Sequence, residues 1–129
     1  MNNIKTVQQM YADFGSGNIS GILNVLSDDV NWNDAGYPDL PFGSKGRSKN
    51  DVPNFFKTLR ESINYTKFEP KEFIADGNSV VAVGYHEGTT IPKNIPFGNN
   101  WIMHWKFNDS GKVIYVQTFF DTHVIAKDF

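Results

Sequence analysis

The sequence predicts an α+β fold: a cone-shaped, curved antiparallel sheet with three N-terminal helices packed on one face, enclosing a pocket. Apolar residues recur at helical spacing in three segments before residue 64, and four runs rich in Val, Ile, Thr and aromatics follow it. Helices first and strands second are the order of an α+β layer architecture. Three short helices cannot cover a long sheet completely, so a cavity between the layers is expected, apolar with a few polar groups.

Ile4, Val7, Tyr11 and Phe14 share one face of the first helix, which Gly15 and Gly17 stop. Asn18 is placed to cap a second, shorter helix with Ile19, Ile22, Leu23 and Leu26 in one stripe, ended by Ser27, Asp28 and Asp29. Val30, Trp32 and Asp34 then alternate with Asn31 and Asn33, the period of a half-buried strand. Residues 35–47, rich in Gly and Pro, read as a loop. Ser48 and Asp51 resemble a capping box, and Pro53 falls in the first turn of a third helix carrying Val52, Phe55, Phe56, Leu59 and Ile63. Strands are expected over 64–75, 78–90, 97–107 and 112–121, with tight turns at 76–78 and 108–111 and a looser connection at 91–96.

Composition narrows the function. The 129 residues, 40% hydrophobic and 20% charged, suit one domain over 1–129 and exclude a disordered chain. The absence of cysteine removes disulfides, thiolate metal sites and cysteine nucleophiles. His86, His104 and His123 match no short zinc spacing, so neither a metal nor a cofactor is expected. No apolar run approaches the ~20 residues of a membrane span, and the N-terminus lacks the apolar core of a secretory signal, which makes a cytoplasmic location the expectation. Net charge is −4 over residues 1–44, +3 over 45–73 and −1 over the rest. That small basic excess, without clustered arginines, is a poor footprint for nucleic acid.

The segments 17–32, 46–49 and 104–113 and the closing Phe119-Phe120-Asp121, in this order and spacing, resemble the nuclear transport factor 2-like fold, and within it the SnoaL-like and ketosteroid isomerase-like proteins. The resemblance covers nearly the whole chain. It implies a homodimer formed through the open sheet face, which agrees with that face's apolar content.

With a bulged turn at 108–112, paired residue numbers sum to 220 and Trp101 faces Phe119, Met103 faces Gln117 and Trp105 faces Tyr115. These residues share a face with Asp121, while Ile102, His104, Val116 and Phe120 lie on the other. A two-residue turn would exchange the faces on one strand. The resemblance selects the bulged register, because steroid isomerases carry a pocket-facing acid at the position resembling Met103.

Asp34 follows Val30 and Trp32 on one strand face, where apolar surroundings would raise its pKa into the range of a general base. In the resemblance it matches the aspartate base of the steroid isomerases; the alternative is an Asx turn opening the loop. The oxyanion donors of those enzymes fall at positions resembling Met10 and Met103, and neither methionine can donate a hydrogen bond. This argues against steroid isomerase activity unless Tyr11, Tyr37 or Tyr85 substitutes. Asp121 resembles the general acid/base of SnoaL-like polyketide cyclases; the alternative is a cap on Thr122 and His123. Two acids in one cup would share a proton. His104 is a lesser candidate beside Asp121, on the opposite face in the chosen register. Neither Arg47, on a loop, nor Arg60, on a helix, is placed beside an acid, which argues against the epoxide hydrolase branch.

Trp32, Tyr85, Trp101, Trp105 and Phe119 exceed what a small core needs, so part of this set, with Met10 and Met103, is expected to line a pocket for a flat apolar or aromatic ligand. Three readings follow: an isomerase or cyclase working through Asp121 and Asp34, a non-catalytic carrier using the same cup, and a dimeric interaction module.

Overall fold

A computed structural model of the chain describes residues 2–126 and 128–129. The first helix, α1 (Asn3–Ser16), starts where the Asn2 side chain accepts the Lys5 N–H at 3.1 Å and ends at Gly17, whose φ of +75° favours glycine. It buries Val7 and Met10, with Ile4, Tyr11 and Phe14 packed beside them. Asn18 caps α2 (Ile19–Asn24) through the Gly21 N–H. Leu26, expected at the end of that helix, instead begins β1 (Leu26–Asp34). Ser48 donates to the Asp51 carboxylate from both its N–H and its hydroxyl, at 3.4 and 2.9 Å, ahead of α3 (Val52–Ser62). Val52, Phe55 and Leu59 are the buried stripe of α3, and Ile63 belongs to the strand that follows.

Part of the expected 35–47 loop is an edge strand, β2 (Ser44–Arg47), which pairs with the end of β1. β3 (Ile63–Asp76), β4 (Ser79–Thr90), β5 (Pro96–Phe107) and β6 (Val113–Phe120) form a meander close to the expected bounds. The six strands lie in the order β2-β1-β6-β5-β4-β3. Neighbours are antiparallel except β1 and β6, because the fourth strand of the meander arrives beside β1 running in the same direction. A last short helix, α4 (His123–Ala126), not expected from the sequence, buries Ile125.

On β4 the even-numbered residues face the helices: Val80, Ala82, His86 and Thr90 are buried. Their partners on β5 include Trp105 opposite Val80 and Trp101 opposite Gly84. The β5–β6 turn is the bulged one expected, with Gly111 at φ +76° and the Asn108 N–H bonded to the Lys112 carbonyl at 2.8 Å. One residue further, between the Phe107–Val113 and Lys106–Tyr115 pairs, β6 carries an extra residue, Ile114. Beyond it the paired numbers sum to 221, so Trp105 faces Val116 and Trp101 faces Phe120. This corrects the expected faces: Val116 and Phe120 turn toward the helices, while Phe119 joins Ile102 on the outer surface.

Candidate functional site

Between α1, α3 and the concave sheet face lies a cavity of about 90 Å³ with almost entirely apolar walls. This is less than the ~150 Å³ that accommodates a benzene ring, so a larger ligand would extend toward solvent or displace side chains. All three tryptophans of the chain, Trp32, Trp101 and Trp105, border it, with Met10 and Met103. Tyr11 sits among them, its ring centroid 5.4 Å from that of Trp101 and 6.0 Å from that of Trp105.

Asp34 ends β1 at the margin of this cavity, 5% exposed. The Trp32 indole, two residues back on the same face, donates to its Oδ1 at 2.9 Å, and the Ser44 hydroxyl donates to Oδ2 at 2.9 Å. Arg47 Nε lies 3.4 Å from Oδ2, an ion pair without a directed hydrogen bond. The carboxylate is therefore held by side chains of β1 and β2 and does not open a turn. Burial pushes its pKa up to about 6, against the opposing pull of Ser44, Trp32 and the Arg47 charge. The edge strand β2 is what brings Ser44 and Arg47 to it, which corrects the expectation that no arginine lies beside a candidate acid.

Four further polar side chains border the cavity: Tyr11, Tyr65, His86 and Thr118. The Tyr11 hydroxyl accepts from Trp105 Nε1 at 3.2 Å, and its own hydrogen has no acceptor among the described residues. Tyr65, from β3, packs against His86 at 5.7 Å between ring centroids. Burial raises both phenol pKa values, so each stays a neutral O–H donor, and the charge of Asp34 adds to the effect on Tyr65. His86, from β4, is 5% exposed and bonds through Nε2 to Asn99 Oδ1. Burial lowers its pKa, keeping the ring neutral near pH 7.

Other candidates lie elsewhere. Asp121 is exposed, outside the cavity, with its carboxylate accepting the His123 N–H at 3.1 Å, the capping arrangement weighed against a catalytic one. The two aspartates therefore do not share a cup, because the extra residue in β6 and the end of that strand at Phe120 leave Asp121 beyond the sheet. Tyr85 is turned outward by the β4 alternation and donates to Glu87 Oε2 at 2.9 Å, and Phe119 is 53% exposed; neither lines the cavity. His104 is on the outer face, within 3.2 Å of the Ser79 hydroxyl. Tyr37 is exposed. Sequence reasoning missed Tyr65 and left His86 on either face, although strand alternation from the buried Val80 would have turned His86 inward.

Residues 7–116 match the SnoaL-like domain family, and the chain belongs to it. No curated protein matches the chain by sequence. Among solved structures it is similar to a nuclear transport factor 2-like protein of unknown function from Burkholderia pseudomallei, at 24% identity over 98% of this chain and 96% of that one, with a TM-score of 0.88. A nuclear transport factor 2-like protein from Burkholderia xenovorans is 26% identical over 97% and 93% of the two chains, TM-score 0.86. TerC, crystallised with polyporic acid, is 25% identical over 97% and 95%, TM-score 0.84. More distant neighbours of the same fold are described as isomerases, a hydroxylase and a SnoaL-like polyketide cyclase. Among the described residues no helix is long and apolar enough to cross a membrane.

Proposed function

We propose that the chain binds a small aromatic molecule in the cavity and catalyses its isomerisation or cyclisation by proton transfer through Asp34. The observation that carries this reading is a carboxyl group buried at the edge of an aromatic cavity with its pKa raised to about 6. At pH 7 such a group is largely ionised, and its conjugate acid is close enough to solution pH to give the proton back. The carboxylate would take a proton from a carbon beside a carbonyl, the C–H electrons passing to the carbonyl oxygen. Hydroxyl hydrogens of Tyr11 and Tyr65 are among the donors available to stabilise that charge. Redelivery of the proton from Asp34 to another carbon completes an isomerisation. Asp121, exposed as a cap, has no part in this scheme. The likeness to TerC, crystallised with polyporic acid, supports an aromatic ligand.

Because every tryptophan borders the cavity, intrinsic fluorescence reports its occupancy. Titration with polyporic acid is expected to quench it saturably, and unsaturable quenching would count against the site. Deuterium uptake from solvent beside the carbonyl of an added benzyl ketone such as phenylacetone is expected with the wild type and to fall ~10²-fold or more in Asp34→Asn. Saturable binding with equal uptake by both proteins would replace the enzyme with a non-catalytic carrier.

We also propose a homodimer through the outer sheet face. Ile102 and Phe119, directly paired, are 42% and 53% exposed, and Ile74 on β3 is 52% exposed. Side chains of this size on one face are the kind of patch a second copy covers. Sedimentation is expected to give a dimer for the wild type and a monomer for Phe119→Glu; a wild-type monomer would remove the proposal.

A further inference from the structure

Besides the tyrosine hydroxyls, two side chains bordering the cavity hold hydrogen-bonding capacity that the fold does not meet. Trp32 and Trp105 each donate their indole N–H to a partner, but Trp101 Nε1, on a residue only 2% exposed, has none. The second is His86. Asn99 Nδ2 donates to the Asp121 carbonyl at 3.1 Å, which turns Asn99 Oδ1 toward His86 Nε2. An amide oxygen only accepts, so Nε2 carries the proton of the neutral ring and Nδ1 is left as an acceptor with no partner among the described residues. The two groups are neighbours: Trp101 lies opposite Gly84 and His86 is two residues along the same strand, while Phe68 packs against both rings, at 5.1 and 6.1 Å. A buried donor is nearly always satisfied, and the open space that both residues border is the cavity, which a ligand would enlarge to reach the indole N–H.

We infer that the cavity selects hydroxylated aromatic ligands, a phenolic or enolic hydroxyl donating to His86 Nδ1 and an oxygen of the same ligand accepting the Trp101 N–H. A hydroxyl suits this pair because one oxygen both donates and accepts. Asn99 is a positioning residue: without it the imidazole is free to place its proton on Nδ1, which would replace the acceptor with a donor. This specificity rests on the reading of the cavity as an aromatic-ligand site and goes beyond it in naming the ligand's polar group and the residues that recognise it. It involves neither Asp34 nor the proton transfer assigned to it.

The test is an NMR titration at pH 7.5 of protein carrying ¹⁵N-labelled histidine, with phenol and with toluene, which differ by hydroxyl for methyl on the same ring. We expect His86 to show the Nε2–H tautomer before ligand is added. Phenol should shift its Nδ1 resonance and bind about fivefold to tenfold tighter than toluene. His86→Phe, which removes the acceptor and leaves the Trp101 N–H, should reduce the preference for phenol over toluene. Asn99→Leu should lose the single tautomer and reduce the preference for phenol. Equal affinities for the wild type with Nδ1 unmoved, or a free His86 in the Nδ1–H tautomer, would overturn the inference and leave the aromatic cavity standing. Failure of both probes to bind would overturn the cavity reading and this inference with it. The wild-type measurements decide between these outcomes even if neither variant folds.

Discussion

Asp34→Asn is expected to gain about 3 kcal/mol of stability relative to the wild type as pH rises from 3 to 7, through linkage at this one carboxyl group. Its pKa is about 6 in the folded protein against 3.8 for the free group, so the native state holds this proton more tightly than the unfolded chain. Below pH 3 both states are protonated and the group contributes no pH dependence. Between pH 4 and 6 the unfolded chain ionises first, and the wild type loses stability at close to 1.4 kcal/mol per pH unit. Above pH 6 the loss is complete. Asparagine cannot ionise, yet it keeps an acceptor for Trp32 Nε1 and gains an N–H that can reach the Ser44 hydroxyl. Denaturant melts of both proteins across this range give the difference curve directly. A curve flat from pH 3 to 7 would mean that Arg47, Ser44 and Trp32 fully compensate the burial of the charge, and it would remove the basis for a base poised near neutrality.

The same carboxyl group marks how far the sequence could be read. Alternation of Val30, Trp32 and Asp34 was sufficient to turn the acid inward, because a strand places every second side chain on one face. Ser44-Lys45-Gly46-Arg47 shows no such alternation: an edge strand of four partly or fully exposed residues needs no apolar pattern, so nothing local identified β2 or placed Arg47 on Asp34. The helices were legible through their stripes and the caps at Asn18 and Ser48, which are local features. Gly111 fixed the turn, but the extra residue at Ile114 leaves no mark in the sequence, since Ile114, Tyr115 and Val116 all suit a strand on either face. One unread residue exchanged Phe119 for Phe120 at the cavity and separated Asp121 from Asp34. Site residues that depend on register are the ones local pattern fixes least.

Gly84 is where the floor of the cavity and the stability of the fold meet. A Cβ there would stand 2.3 Å from Trp101 Cζ2 and 2.5 Å from the Glu69 carbonyl oxygen. The first contact is the flat of an indole itself packed against Phe68 and Tyr11, and the second is backbone of the neighbouring strand, so neither can retreat cheaply. Gly84→Ala is therefore expected to destabilise the protein by ~3 kcal/mol, at the upper end of the usual range for overpacking. Trp101 is the group that must move, and because it forms a cavity wall the variant should also lose saturable quenching by aromatic ligands in the population that remains folded. Gly15→Ala provides the opposite case. Gly15 lies within α1 with nothing within 4 Å of its added Cβ, so the same methyl should stabilise by up to ~1 kcal/mol through helix propensity alone. Denaturation midpoints and polyporic acid titrations of the two variants separate a general effect of alanine from a steric one at Trp101. If Gly84→Ala were as stable as the wild type and bound ligand as well, the indole would have room to shift, and the cavity wall would be adaptable where its packing reads as rigid.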